Sequence, residues 1–127
     1  MILIDTSVWI RYLSGQEPFL SAVTKLVLSK ETAAHELVYG ELLIGEKGGR
    51  RARFLTDYEE LRFCTRVPHS EVVSLVWRRR LNGRGIGWID VHLIASALAD
   101  RMQFWTADPR LANIAEEFGV TYKIPAL

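Results

Sequence analysis

MILIDTSVWI, residues 1–10, joins a continuous apolar run, Met1 to Ile4, to a carboxylate and two hydroxyls at Asp5, Thr6 and Ser7. An apolar run without alternation is the pattern of a strand buried on both faces, as strands of a parallel sheet are. Residues 1–4 therefore read as a central strand, and Asp5 falls at its carboxyl end. TSVWIRYL follows as a short helix stopped at Gly15. From Pro18, the residues Phe19, Val23, Leu26 and Val27 recur at helical spacing and predict a helix to about Lys30. TAA at 32–34 reads as a second strand, ELVYGELLIGE at 36–46 as a helix ended by Gly48-Gly49, and 51–60 as another helix.

RFCTRV at 62–67 predicts a strand stopped by Pro68, after which Ser70 can cap a helix running through Val72, Val76 and Trp77 to the terminator Asn82-Gly83. DVHLIASALA is apolar nearly all round, which predicts a buried helix opening at Asp90. QFWTA at 103–107 reads as a strand, PRLANIAEEFG as an amphipathic helix, and VTYKI at 120–124 as a last edge strand. Strands alternating with helices define an α/β sandwich with a mainly parallel sheet.

The chain has 127 residues, 49% of them apolar and 24% charged, which suits one globular domain spanning 1–127. WIDVHLIASALA, the longest apolar stretch, is broken by Asp90 and His92 and falls short of the roughly 20 residues of a membrane span. Four apolar residues before Asp5, with no basic segment ahead of them, do not make a secretory leader. A cytoplasmic location is the expectation. Cys64 is the single cysteine, so there is no intrachain disulfide and no thiolate metal site. With a net charge of +1, a polyanion would have to meet a local patch. Of the 16 basic residues, 12 are Arg, with clusters at Arg50, Arg51, Arg53 and at Arg78, Arg79, Arg80, Arg84; solvated helix surface is the competing role.

Four acids stand where such an order of elements brings strand ends and helix starts into one cleft: Asp5, Glu41, Asp90 and Asp108. Functional clefts of open parallel sheets lie beyond the carboxyl ends of the strands. Two carboxylates brought within about 4 Å repel by roughly 4 kcal/mol at an effective dielectric of 20, and a hard divalent cation relieves that repulsion. Oxygen ligands without Cys or His pairs suit Mg²⁺ or Mn²⁺. Ordinary roles compete: an Asx turn for Asp5, helix N-caps for Asp90 and Asp108. Thr6, Ser7 and Thr106 place hydroxyls beside the acids, suited to orienting them.

LIDTSVWI, GEL around Glu41, GRGIGWIDVHLIASAL and WTADPRLANIA together resemble the PIN-domain ribonucleases, in particular the VapC toxins of type II toxin–antitoxin modules. The resemblance covers essentially the whole chain. It implies a PIN-like three-layer α/β/α sandwich with a mainly parallel central sheet of about five strands. It implies Asp5, Glu41, Asp90 and Asp108 as catalytic and metal-holding residues, with Ser7 and Thr106 as polar support. One departure is that Pro109 and Arg110 follow Asp108, where many members have further acidic or aromatic residues.

The implied activity is Mg²⁺- or Mn²⁺-dependent endonucleolytic cleavage of RNA, restrained by a VapB-type antitoxin that carries the complex to operator DNA. Homodimerisation is implied too, with Trp9, Leu13, Leu42, Leu43 and Trp88 as apolar supply. Single-stranded or looped RNA is the expected substrate, and Arg78, Arg79, Arg80 and Arg84 its expected phosphate contacts. The rival reading is a catalytically inactive PIN-like module that binds RNA or protein. The glycines of NGRGIGW follow a helix instead of a strand, which excludes a dinucleotide fingerprint. Ser7 occupies the place where a haloacid-dehalogenase-type phosphotransferase needs a second Asp. His35, His69 and His92 are scattered and do not form an acid–base pair.

Overall fold

The computed structural model describes residues 1–126. Ile2–Ile4 forms strand β1, with Leu3 and Ile4 completely buried. It lies between β2 (Thr32–Ala34) and β4 (Gln103–Trp105), and β3 (Arg62–Phe63) adds to the far side of β2. The order is β3-β2-β1-β4 and every pairing is parallel, with Leu3 opposite Ala33 on one side and Phe104 on the other.

Helices α1 (Thr6–Leu13) and α2 (Phe19–Leu28) connect β1 to β2; α3 (Glu36–Ile44) and α4 (Ala52–Tyr58) connect β2 to β3. The chain then crosses back over the sheet through α5 (His69–Arg79) and α6 (Trp88–Ala99) to β4, and α7 (Pro109–Glu117) follows. Parallel crossovers are right-handed in nearly all proteins. The first two connections advance toward β3 and the third returns to the opposite edge, so the two sets of helices cover opposite faces. This is the three-layer α/β/α arrangement expected. The winding direction reverses between β1 and β4, a topological switch point.

On the first face Trp9 packs edge-on against Tyr12 and Tyr58, at 5.7 and 5.8 Å between ring centroids, and against Phe54 at 5.3 Å. On the other, Val72 and Leu75 of α5 meet Val91 and Ala95 of α6 and Ile114 of α7. His35 ties elements together from the start of α3. Its Nδ1 accepts the Leu37 backbone N–H, its backbone N–H donates to the Tyr58 hydroxyl at 2.9 Å, and its Nε2 lies 2.9 Å from Ser96 Oγ. An Nδ1 that accepts leaves the ring proton on Nε2, so the neutral ring donates to Ser96.

Several boundaries differ from the sequence reading. The sheet has four strands among the described residues instead of about five, because the expected VTYKI strand shrinks to one parallel bridge between Thr121 and Phe104. Pro125 lies just beyond and cannot donate to a ladder. RFCTRV pairs as a strand only at Arg62–Phe63, followed by one bond from the Cys64 N–H to the Ala34 carbonyl. α5 starts directly after Pro68, whose ψ of 147° is already extended, so Ser70 lies inside the first turn. It ends at Arg80 in the left-handed region, ahead of Asn82-Gly83. α6 begins at Trp88, ahead of Asp90. Trp9 and Leu42 are core residues, whereas Leu43 and Trp88 are exposed.

Candidate active site

The switch point places Asp5, at the end of β1, beside Thr106, just beyond β4. The Asp5 backbone N–H continues the ladder to the Trp105 carbonyl at 2.9 Å, which fixes how far each strand end projects. Asp5 stands at the N-cap of α1, yet its side chain makes no capping bond. Instead Oδ2 accepts from both the Ser7 and Thr106 hydroxyls at 2.7 Å. Both bonds converge on Oδ2, so Oδ1 remains for another ligand. Ser7 Oγ also accepts the Ala107 N–H at 3.0 Å, and Thr106 Oγ1 accepts the Asp108 N–H at 3.1 Å. These bonds lock the start of α1 to the segment that delivers Asp108.

Glu41 projects from α3, and its Oε1 accepts the Thr6 hydroxyl at 2.6 Å. Asp90 is the third residue of α6 and its Oδ2 accepts the Gly87 N–H at 2.9 Å, a helix-start bond the sequence reading placed at Asp90 itself. Asp108 caps α7 through the Arg110 N–H at 2.9 Å, with Pro109 in the first helical position. The N-cap role weighed for Asp108 is thus real, whereas Asp90 is not the N-cap but reaches back to the N-cap residue Gly87; each bond fixes how its carboxylate is turned.

Glu41 and Asp90 feel the charges of neighbouring acids. Burial pushes the Glu41 carboxyl above the usual carboxylate range, the Thr6 bond pulls it back, and the charges of Asp5 and Asp90 push it further up. Asp90 is likewise pushed up by burial, held down by the Gly87 N–H, and pushed up by Asp5 and Asp108. The ion pairs of the described residues, Arg51 with Glu46, Arg66 with Glu36 and Arg84 with Glu117, all lie elsewhere. Uncompensated carboxylate oxygens are a donor set that fits a hard divalent cation. As the side chains stand, no three acidic, imidazole or thiolate groups among the described residues converge closely enough to enclose one. Glu41, Asp90 and Asp108 each have one carboxylate oxygen in a hydrogen bond, which leaves the other oxygen for a cation.

The expected phosphate contacts divide. Arg84 is paired with Glu117, and the Arg79 guanidinium lies 4.0 Å from the Phe118 ring centroid. Arg78, which reaches Ser74, and Arg80 are exposed. Two basic residues nearer the acids escaped the sequence reading. Arg11 donates to the Ser7 carbonyl at 2.8 Å, and the Arg110 side chain lies against the Gly85 backbone. Arg11 was detectable in principle, since it is one helical turn after Ser7 on the same face of α1. Arg110 was not, because its proximity to Gly85 depends on how α7 meets the loop before α6.

This fold, with acids gathered at a sheet switch point, is that of a PIN domain, and the PIN-domain family model matches residues 2–117. The chain belongs to the PIN-domain family. Within it, the chain resembles Ribonuclease VapC32 of Mycobacterium tuberculosis, strains CDC 1551 / Oshkosh and ATCC 25618 / H37Rv, with 40% identity over 121 residues and 94% of each chain covered. Among solved structures, that of PAE2754 from Pyrobaculum aerophilum superposes with a TM-score of 0.60 over 88% of this chain and 82% of the other. At 16% identity that likeness is one of fold.

Proposed function

We propose that the protein is a Mg²⁺- or Mn²⁺-dependent endoribonuclease, the toxin of a type II toxin–antitoxin module, built as a single domain and acting in the cytoplasm. The observation that carries this reading is the gathering of Asp5, Glu41, Asp90 and Asp108 at the switch point with no basic side chain paired to them. The likeness to a protein named a ribonuclease supports RNA as the substrate. Asp5, Asp90, Asp108 and Glu41 would hold the cation, which when bound activates water and neutralises phosphate charge. Ser7 and Thr106 fix the direction in which Asp5 points, and Thr6 does the same for Glu41. Cleavage would stop growth by removing RNA that translation needs.

A VapB-type antitoxin is the partner this reading requires, with operator DNA bound through the complex. Exposed Leu28, Leu43 and Ile44 on α2 and α3 supply apolar surface for such a partner. Exposed Trp77 and Trp88, beside the α5–α6 connection, supply surface for a homodimer. No helix of the described residues is long and apolar enough to cross a membrane.

The test is cleavage of total RNA by purified protein freed of any partner, with Mg²⁺, with Mn²⁺ and with EDTA, alongside Asp5→Asn. Metal-dependent cuts that disappear in Asp5→Asn are expected. Cleavage that survives EDTA overturns the metal mechanism. No cleavage under any condition moves the assignment to a binding module.

A further inference from the structure

Next to the acids, on the α7 side of β4, lies a cleft of about 390 Å³ whose walls are aromatic and whose rim is basic. Trp105 forms its floor: the ring is buried, stacked on Phe19 at 5.9 Å and 20° between planes, and contacted by Tyr122 at 5.1 Å. Phe19 and Tyr122 are only partly buried, so each keeps ring surface toward the cleft. Arg11 and Lys123 supply the cations, the Arg11 guanidinium lying 5.7 Å from the Phe19 ring centroid. Thr121 Oγ1, also in the lining, is a shielded hydroxyl without a hydrogen-bond partner among the described residues.

The cleft adjoins the acid cluster through shared residues. Thr106 lines it and at the same time donates to Asp5, and Arg11 is anchored to the carbonyl of Ser7, whose hydroxyl holds the same Asp5 oxygen. A chain whose phosphate lies at the acids therefore meets a flat aromatic pocket and two positive charges one step away. Ring faces bind any base by stacking, and cations track the backbone, which is how single-stranded nucleic acid is held.

We propose that this cleft is a nucleotide subsite: the base beside the scissile phosphate stacks on Tyr122 and Phe19, and its phosphate is held by Arg11 and Lys123. The assignment rests on RNA being the substrate, as proposed above, and adds where the strand runs and what selects single-stranded RNA. A base in a duplex has its faces covered and cannot enter.

The test uses the full chain carrying Asp5→Asn, so that RNA stays intact in Mg²⁺, and a fluorescein-labelled single-stranded RNA pool of about 12 nucleotides as the probe. Tyr122→Leu and Phe19→Leu, which keep apolar bulk against Trp105, are expected to weaken binding roughly 5- to 100-fold. Tyr122→Phe keeps the ring and is expected to retain the parent affinity, which assigns the effect to the ring face and not to the hydroxyl. Lys123→Ala lowers the salt dependence of binding by about one counterion. Thermal melting confirms that each variant is folded.

Unchanged RNA affinity in folded Tyr122→Leu and Phe19→Leu overturns the subsite and leaves the cleft to another occupant, such as a protein segment. Absence of binding by the parent overturns it too. The two readings fail separately: if the chain with Asp5 intact cuts no RNA while the Leu variants lose binding, the nuclease falls and the cleft stands as a single-stranded RNA-binding site without cleavage. If it cuts RNA while those variants bind normally, the subsite falls alone.

Discussion

Acid should weaken this fold through one buried ring. His35 has no exposed surface, and burial, reinforced by the charge of Arg66 and then by His92, pushes its pKa down from 6.5 to about 4. Geometry gives the same direction, since a second ring proton on Nδ1 would face the Leu37 N–H that now donates to it. Between those two values the unfolded chain binds a proton that the folded chain refuses. His35 therefore contributes full stability above about pH 6.5, and that contribution is lost as pH falls toward 4. At 1.36 kcal/mol per pH unit, the loss is about 3 kcal/mol, a large share of the roughly 5–15 kcal/mol that holds a domain together. Glu41 and Asp90, pushed up in the folded chain, act with the opposite sign, and His92, pushed down by burial, shares the sign of His35.

A variant isolates the ring from these others. His35→Asn keeps a side-chain oxygen to cap α3 at the Leu37 N–H but does not titrate. Urea unfolding of both proteins at intervals from about pH 7.5 to about pH 4 should show the wild type losing about 3 kcal/mol relative to His35→Asn. Parallel stability curves for the two proteins across that range would refute the reasoning. The result bears on function as well, because the helix that His35 caps carries Glu41.

Tyr58→Phe should cost about 1–3 kcal/mol by urea denaturation, because it strips the buried His35 N–H of its acceptor; an unchanged midpoint speaks against that bond. Thr106→Val removes a donor from Asp5 while keeping volume, and cleavage or metal affinity should drop roughly 10- to 100-fold, measured by initial rates against Mg²⁺ concentration. In Thr6→Val the bond that holds Glu41 down is gone, so the acid limb of the pH–rate profile should move to higher pH; a profile that stays in place contradicts an ionised Glu41 in the reaction. Replacing Arg78, Arg79 and Arg80 by Ala should weaken RNA binding and reduce its salt slope by about one for each phosphate these side chains neutralise, and an unaltered slope removes α5 from the RNA path.

Local chemistry made much of the architecture legible in advance. The unbroken run Ile2–Ile4 requires burial on both faces, and Asp108-Pro109 starts a helix through cap and ring geometry that needs no distant partner. Marginal edges were less legible. Val120 to Ile124 has strand-like residues, but only the Phe104 backbone receives them, through two hydrogen bonds about Thr121. The start of α6 was misplaced because Gly87 has no side chain to announce a cap; the bond comes back from Asp90 one turn later.

For the site, the sequence by itself singled out the candidate side chains: four acids, three of them at a strand end or helix start and Glu41 within α3, with hydroxyls adjoining three of the four in the chain or the fold. It also determined what they are not, since a lone Cys64 and scattered histidines leave only hard oxygen donors. Only the tertiary structure decided how they are paired and aimed. Thr106 reaches Asp5 across 101 residues and Thr6 reaches Glu41 across 35, and such bonds follow from strand order and from how α3 packs beside α1. The same holds for Arg11 at the aromatic cleft and for Arg84 turned away to Glu117. A charge reads the same anywhere in a sequence, but its partners are chosen by distances that exist only after the chain has closed on itself.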